Sequence, residues 1–135
     1  MRLDELELQS VPSTIAKFTG LQRLVLDDNK LTELPDFITT LVELSCLEVD
    51  NNELSTLPED IGRLQKLETF TAQKNKIAAI PESFSKLSKL EKADFRFNKL
   101  TEVIESIGEL TNLTWYVERD EGVVCACMRA RVFVW

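Results

Sequence analysis

The chain of 135 residues contains no histidine, and it has only four glycines, four prolines and three cysteines. Without histidine it has no His-based catalytic triad and no imidazole ligand for a metal. No Gly-x-x-x-x-Gly-Lys-Ser/Thr phosphate-binding loop occurs, and Cys46, Cys125 and Cys127 lack the spacing of a zinc site. The sequence therefore predicts a non-catalytic protein without a metal or cofactor.

Long apolar runs are also missing. No stretch approaches the roughly 20 apolar residues that a transmembrane helix needs, and the charged residues from Arg2 to Glu7 argue against a signal peptide. The cysteines do not have the spacing of a disulfide framework. A net charge of −7 argues against nucleic acid as the main ligand. We therefore expect a cytoplasmic protein with no membrane span and no nucleic-acid partner.

What the chain does contain is a repeat. Four copies of the pattern Leu-x-x-Leu-x-Leu-x-x-Asn-x-Leu, with other apolar residues in place of some leucines, begin 23 residues apart. A fixed period of about 20–29 residues with this pattern is typical of a solenoid. The first apolar positions of the copies are Leu21/Leu24/Leu26, Leu44/Leu47/Val49, Leu67/Phe70/Ala72 and Leu90/Ala93/Phe95.

The spacing within each copy predicts a short strand followed by a turn. Alternate residues of a strand point to opposite faces, so the leucines face inward and the intervening residues outward. One copy cannot bury its apolar face alone, whereas copies stacked in parallel at about 4.8 Å can. In the turn, a buried amide can satisfy backbone N–H and C=O groups. We therefore predict a structural asparagine ladder of Asn29, Asn52, Asn75 and Asn98.

The second half of each copy reads Leu-Pro-x-x-Ile-x-x-Leu or a variant of it, beginning at Leu34, Leu57, Ile80 and Val103. With the first half, this pattern resembles the leucine-rich repeat, and specifically the intracellular Ras-group or Scribble-type repeat. The resemblance implies an α/β fold, a curved solenoid with a parallel β-sheet on the concave face and short helices or 3₁₀ turns on the convex face. Those turns are predicted to start at Pro35, Pro58 and Pro81.

The two ends depart from the pattern. We predict a repeat domain over residues 1–117, with a short N-terminal repeat, four full repeats from 21 to 112 and the start of a fifth. Leu3 lies only 18 residues before Leu21 and has no asparagine turn, which indicates an atypical capping repeat or a truncation. Residues 118–135 form an atypical apolar tail, which either covers the end of the solenoid as one or two strands or stays exposed.

The outward residues of the stacked strands are predicted to form a polarised face, acidic in the first copies and basic in the later ones. Aromatic and Arg side chains are enriched at binding hot spots, so Phe97 and Trp115 are candidate anchors for a protein partner. An ordinary solvated surface is the alternative. The predicted partner-binding residues are Arg23, Asp27, Asp28, Glu48, Asp50, Lys74, Lys92, Asp94, Arg96, Phe97 and Trp115.

The resemblance to the intracellular repeats carries the expectation for function. It implies a non-catalytic protein–protein interaction module, used as a signalling scaffold or adaptor. The implied partners are a small GTPase, a phosphatase or a component of a polarity complex. Two alternatives stay open: the recognition arm of a larger enzyme such as a kinase or ubiquitin ligase, and a truncated gene product without independent function. The oligomeric state is not predicted.

Overall fold

The structure is a computed structural model that describes residues 1–101, 104–119 and 122–127, and the side chains of residues 1–101 and 104–114. Six strands of this part form one sheet in sequential order. The first five pair in parallel and the last pairs antiparallel with the fifth, which confirms the predicted parallel solenoid. The strands are β1 (Arg23–Val25), β2 (Cys46–Glu48), β3 (Thr69–Thr71), β4 (Lys92–Asp94), β5 (Thr114–Arg119) and β6 (Gly122–Cys127).

Short 3₁₀ helices form the side opposite the sheet. Pro35 C=O accepts the N–H of Ile38 at 3.0 Å, and Pro81 C=O accepts that of Phe84 at 2.9 Å. These prolines precede their helices by one residue, because the proline carbonyl closes the first 3₁₀ turn. The helices of the described residues have at most five residues, too few to cross a bilayer. They are η1 (Ser13–Lys17), η2 (Asp36–Thr40), η3 (Ile61–Arg63), η4 (Glu82–Lys86) and η5 (Glu105–Glu109).

The core lies between the sheet and the 3₁₀ helices, and its layers are matched in volume. In the third repeat the large Phe70 is followed by the small Ala72, whereas the fourth repeat has Ala93 followed by Phe95. All four side chains are fully buried. Because Phe70 pairs with Ala93 across the sheet, each large ring meets a small neighbour in the next layer.

Three phenylalanine rings fill the core of the third and fourth repeats. The Phe70 and Phe84 centroids are 5.7 Å apart, those of Phe70 and Phe95 are 5.4 Å apart, and those of Phe84 and Phe95 are 5.6 Å apart. Phe84 meets both other rings edge-on, at 76° and 68°. Edge-to-face pairs of this kind contribute about 0.5–1.5 kcal/mol beyond the burial of their area.

Gly62 marks a close approach between neighbouring 3₁₀ helices. A Cβ atom at Gly62 would lie 2.1 Å from the carbonyl oxygen of Ser83. Gly62 N–H also donates to Ser83 Oγ at 3.3 Å, and that hydroxyl donates to Glu59 C=O. Packing therefore requires glycine at this position. Gly20, by contrast, has no atom other than those of its chain neighbours within 4 Å of the place where its Cβ would stand.

The N-terminal unit keeps the 23-residue register, contrary to the prediction of a shortened repeat. Leu3 N–H donates a hydrogen bond to Val25 C=O. Leu26 N–H, 23 residues later, donates the equivalent hydrogen bond to Glu48 C=O. Leu3 is thus the counterpart of Leu26 and not of Leu21. By the same 23-residue offset, Glu5 is the counterpart of Asp28 and Leu8 is the counterpart of Leu31, because the members of each pair make equivalent backbone hydrogen bonds.

This register explains the missing asparagine. The residue in the place of Asn29 is Leu6, and its side chain is 55% exposed at the end of the solenoid. Asn29 of the next repeat reaches back instead, and its Oδ1 accepts the N–H groups of Leu6 at 3.2 Å and Leu8 at 2.9 Å. The N-terminal unit is therefore hydrogen-bonded into the ladder without contributing an amide of its own.

At the other end, β5 departs by one residue from the 23-residue spacing. Lys92, Ala93 and Asp94 pair with Thr114, Trp115 and Tyr116. The 23-residue period predicts that Trp115 aligns with Lys92, and this prediction is wrong, because Trp115 stands opposite Ala93. The predicted boundary between residues 117 and 118 lies inside β5.

Part of the predicted tail extends the sheet. β6 pairs with the whole length of β5, and an added strand covers the backbone groups of the former edge. The rest of the tail, residues 120, 121 and 128–135, lies outside the described residues, as does Val103 of the fourth Leu-Pro variant.

Candidate functional site

The strand face consists of the outward residues of β1–β4 and of the turn residues that follow each strand. Strand pairing aligns its first two rows, and backbone hydrogen bonds between successive turns continue the alignment. The first row is Arg23, Cys46, Thr69 and Lys92, and the second is Val25, Glu48, Thr71 and Asp94. The third is Asp27, Asp50, Gln73 and Arg96, and the fourth is Asp28, Asn51, Lys74 and Phe97.

The second row is largely buried, which the alternation of the strands did not predict. Val25 is 1% exposed and Thr71 is 6% exposed, and Asp94 is fully buried. Strands about 4.8 Å apart crowd the side chains of one row against those of the next. Asp94 is therefore not accessible to a partner in this fold, contrary to the prediction.

Arg96 is the ion-pair partner of Asp94. Its Nε lies 3.0 Å from Asp94 Oδ1 and its Nη2 lies 2.7 Å from Asp94 Oδ2, a two-point guanidinium–carboxylate contact. Nη2 also lies 3.3 Å from Gln73 Oε1. Because the Asp94 side chain is only 1% exposed, removing the guanidinium would leave a buried carboxylate without its cation. Arg96 therefore has a structural role on this face.

The two aspartates of the third row bind backbone of the next repeat. Asp27 Oδ1 accepts the N–H of Asp50 at 2.7 Å, and Asp50 Oδ1 accepts the N–H of Gln73 at 2.7 Å. Asp50 Oδ2 also accepts a hydrogen bond from Gln73 Nε2 at 3.2 Å. Sequence reasoning missed Gln73, which links a carboxylate on one side to Arg96 on the other. An amide placed between Asp50 and Arg96 at the repeat spacing is the signal that indicates it.

Partial burial and crowded charge favour the protonated form of these acids. Burial raises the pKa of the Asp27 carboxyl to about 6, against the hydrogen bond from Asp50 N–H, and the charges of Asp50, Glu48 and Asp28 raise it further. Burial also raises the pKa of Asp50, with smaller contributions from Asp94 and Glu48. Carboxylates at this end of the face therefore destabilise one another at neutral pH.

The Glu48 carboxylate is bound by one side chain of the preceding repeat and by one side chain of its own repeat. Arg23 Nη2 lies 2.6 Å from Glu48 Oε1, and Cys46 Sγ donates to the same oxygen at 3.1 Å. Burial raises the pKa of the Cys46 thiol to about 11, and the Glu48 carboxylate raises it too. Cys46 therefore stays a thiol at neutral pH, which makes it a poor nucleophile.

The fourth row has left-handed backbone at every position. The φ angles of Asp28, Asn51, Lys74 and Phe97 are 54°, 54°, 52° and 59°. Asparagine and aspartate tolerate this conformation, whereas it is uncommon for a bulky residue. Phe97 is nevertheless placed there, and its side chain is 51% exposed. An exposed aromatic held in an unfavourable conformation is the kind of feature that collects at binding sites.

Two lysines of the strand face are unpaired within the described residues. Lys74 and Lys92 are both exposed. The ion pairs found in residues 1–101 and 104–114 involve other cations. Among those same side chains, no group of three or more Cys, Asp or Glu residues is placed to hold a metal ion. The arrangement can therefore bind through charge, hydrogen bonds and one aromatic ring.

The asparagine ladder runs beneath this face. Asn52 Nδ2 donates to Leu26 C=O of the preceding repeat at 2.9 Å and to Val49 C=O of its own repeat at 3.2 Å, while its Oδ1 accepts Leu31 N–H at 3.0 Å. Asn29, Asn75 and Asn98 repeat this arrangement. Each amide thus ties the turn of its repeat to the one before, which sets the position of the exposed fourth row.

Comparisons with known proteins agree with this geometry. A family model described as Leucine Rich Repeat matches residues 20–41. The crystal structure of an internalin, InlF of Listeria monocytogenes, is similar over 80% of this chain and 31% of that one, with 31% identity and a TM-score of 0.70. The chain is a leucine-rich-repeat protein.

Two further solved structures share the fold. The functional domain of InlJ of Listeria monocytogenes, which includes a cysteine ladder, is similar over 81% of the present chain and 22% of the InlJ chain, with 23% identity and a TM-score of 0.69. A leucine-rich-repeat protein of Leptospira interrogans is similar over 87% of the present chain and 43% of the Leptospira chain, with 22% identity and a TM-score of 0.60. The chain thus spans less than half of each. A search of curated proteins finds no match.

Proposed function

We propose that this leucine-rich-repeat protein is a protein–protein interaction module that binds its partner on the strand face. The observation that carries the proposal is Phe97. A left-handed conformation costs a bulky residue about 1 kcal/mol more than it costs asparagine, and Asn51 shows that the repeat can hold asparagine there. An exposed ring that weakens the fold is consistent with a binding role. The fold itself also suggests such a module.

We further propose an intracellular signalling scaffold or adaptor as its role. The Leu-Pro-x-x-Ile-x-x-Leu halves, which resemble the Scribble-type repeat, support this proposal. A small GTPase, a phosphatase and a polarity-complex component are therefore the first partners to test, as purified proteins against the full chain.

The test of the binding face compares two pairs of charge reversals. Lys74→Glu with Lys92→Glu alters the strand face, and Arg63→Glu with Lys89→Glu makes the same change of charge on exposed residues outside it. Arg96 is left intact, because a glutamate there would face the buried Asp94. The strand-face pair should weaken binding of the recovered partner, mainly by slowing association. Loss of binding in the control pair alone would place the partner on the other side of the molecule.

A second test separates binding from stability at Phe97. Phe97→Asn should raise the free energy of unfolding by about 1 kcal/mol, because it removes the left-handed penalty, and should weaken partner binding at the same time. Phe18→Asn is the matched control, since Phe18 is 52% exposed and has a φ of −91°. Equal effects of the two substitutions on binding would contradict a special role for Phe97.

A further inference from the structure

We propose that the strand face binds an acidic, extended protein segment that carries an apolar side chain, and that Lys74, Lys92 and Phe97 are the residues that bind it. This inference rests on the proposed function and adds the chemistry of the partner. It also assigns the binding to the basic end of the face, whereas the sequence pattern predicts a polarised face without choosing between its acidic and basic ends.

The acidic end is already occupied by contacts within the protein. The carboxylates of Asp27 and Asp50 accept backbone N–H groups of the next repeat, each at 2.7 Å. Glu48 holds both Arg23 and the thiol of Cys46, and Asp28 accepts the Asn51 amide. A basic partner would compete with these bonds. The gain from docking a cation at this end is correspondingly small.

The basic end has free donors. Each lysine ammonium offers three N–H donors, and neither Lys74 nor Lys92 has an ion pair within residues 1–101 and 104–114. The buried carboxylate of Asp94 at this end is paired with Arg96 at 2.7 Å, so the pair carries no net negative charge that would repel a partner's carboxylate. A partner with carboxylates can therefore bind here without breaking internal bonds.

The spacing of the three residues fits an extended segment. Lys74 and Phe97 hold the same position in neighbouring repeats, and Lys74 N–H donates to Arg96 C=O at 3.0 Å. Their backbones are therefore one strand spacing apart, about 4.8 Å. Lys92 precedes Phe97 by five residues, which is at most roughly 17 Å of extended chain. A partner segment of about five or six residues can reach both lysines and the ring.

The probe is a phage library of random twelve-residue peptides, selected on the immobilised full chain. Enriched peptides are then synthesised, and their dissociation constants are measured by fluorescence anisotropy. The variants are Lys74→Glu/Lys92→Glu, Phe97→Asn, and the controls Arg63→Glu/Lys89→Glu and Phe18→Asn. We expect enriched peptides with net negative charge and an apolar residue. The Lys74→Glu/Lys92→Glu double reversal should raise the dissociation constants of these peptides about tenfold. Phe97→Asn should raise them by a similar factor, and both controls should bind the peptides as the wild type does.

The outcomes separate this inference from the proposed function. Enrichment of basic or neutral peptides that still depend on Phe97 overturns the acidic specificity and leaves the strand face as a binding site. Peptides that bind the strand-face variants unchanged overturn both proposals. Failure to enrich any peptide overturns the extended-segment inference. Acidic peptides that depend on the lysines but not on Phe97, and that heparin displaces, indicate a non-specific polyanion site and also overturn it.

Discussion

Replacing Asn75 with leucine removes a buried amide from the middle of the ladder while keeping a side chain of similar size. Asn75 Oδ1 accepts the N–H of Leu54 at 2.9 Å. Its Nδ2 donates to the carbonyls of Val49 at 2.9 Å, Ala72 at 3.2 Å and Gln73 at 3.1 Å. Four hydrogen bonds disappear in the variant. Their number overstates the loss, because a carbonyl oxygen can accept more than one donor.

The three carbonyls keep other donors. Val49 C=O still accepts Asn52 Nδ2 at 3.2 Å, and Ala72 C=O still accepts Asn98 Nδ2 at 2.7 Å. Gln73 C=O still accepts the backbone N–H of Asn51, in the preceding repeat, at 2.8 Å. Only the N–H of Leu54 has no other acceptor among the described residues. One orphaned buried donor costs about 1–3 kcal/mol, and we expect Asn75→Leu to destabilise by that amount.

Asn75→Asp separates this explanation from a simple loss of packing. A carboxylate could still accept the N–H of Leu54, but its second oxygen would face three carbonyl oxygens at the positions that Nδ2 occupies. A buried charge without a compensating donor costs about 3 kcal/mol or more. Aspartate should therefore be worse than leucine at Asn75, although it is closer to asparagine in shape.

Urea unfolding followed by circular dichroism measures both variants. With a slope of about 2 kcal/mol per molar urea, a loss of about 2 kcal/mol lowers the midpoint by about 1 M. Asn112→Leu is the control, because Asn112 is exposed and lies outside the ladder. An unchanged midpoint in Asn75→Leu, or an Asn75→Asp variant that is milder than Asn75→Leu, would refute the reasoning.

Three further predictions concern packing and charge. Gly62→Ala should lower the free energy of unfolding by about 1–3 kcal/mol, because its Cβ would meet a carbonyl oxygen at 2.1 Å, whereas Gly20→Ala should not; urea unfolding measures both. Phe84→Ala should cost about 3–5 kcal/mol in a thermal melt, because it empties a fully buried site. Asp27→Asn should stabilise the protein at pH 7 and lose that advantage as the pH falls to about 4. The folded pKa of Asp27, about 6, lies above the ordinary value of 3.8. The wild type therefore loses stability as pH rises through this window, and the amide does not.

Each of these has a result that would contradict it. Equal losses in Gly62→Ala and Gly20→Ala would mean that the two 3₁₀ helices separate at little cost. A Phe84→Ala variant as stable as the wild type would mean that the aromatic layer is not packed as described. For Asp27→Asn the control is Glu33→Gln, an exposed carboxylate outside the strand face. A stability difference that does not change between pH 4 and pH 7 would contradict the burial of Asp27.

Much of the fold was predictable because one short pattern occurs four times. Leu24, Leu47 and Phe70 occupy the same inward position, so a single argument about alternation applies to every strand. The register of the two end units was not predictable in the same way. The sequence pattern matches Leu3 to Leu21 only because both are leucines, whereas the backbone hydrogen bonds show that Leu3 is equivalent to Leu26. The one-residue offset of Trp115 cannot be recognised from the sequence pattern.

The sequence by itself determined the solenoid, its period and its amide ladder, because each depends on residues that recur at fixed spacing and act within one repeat or between adjacent repeats. Only the tertiary structure decided which outward residues are free. Asp27, Asp50 and Glu48 look like docking charges in the sequence, but they bind backbone and side chains 23 or 25 residues away. Such pairings depend on how closely neighbouring strands stand and where each side chain can reach. Lys92 and Phe97 stay exposed on the same face, and Lys92 takes part in none of the ion pairs within residues 1–101 and 104–114.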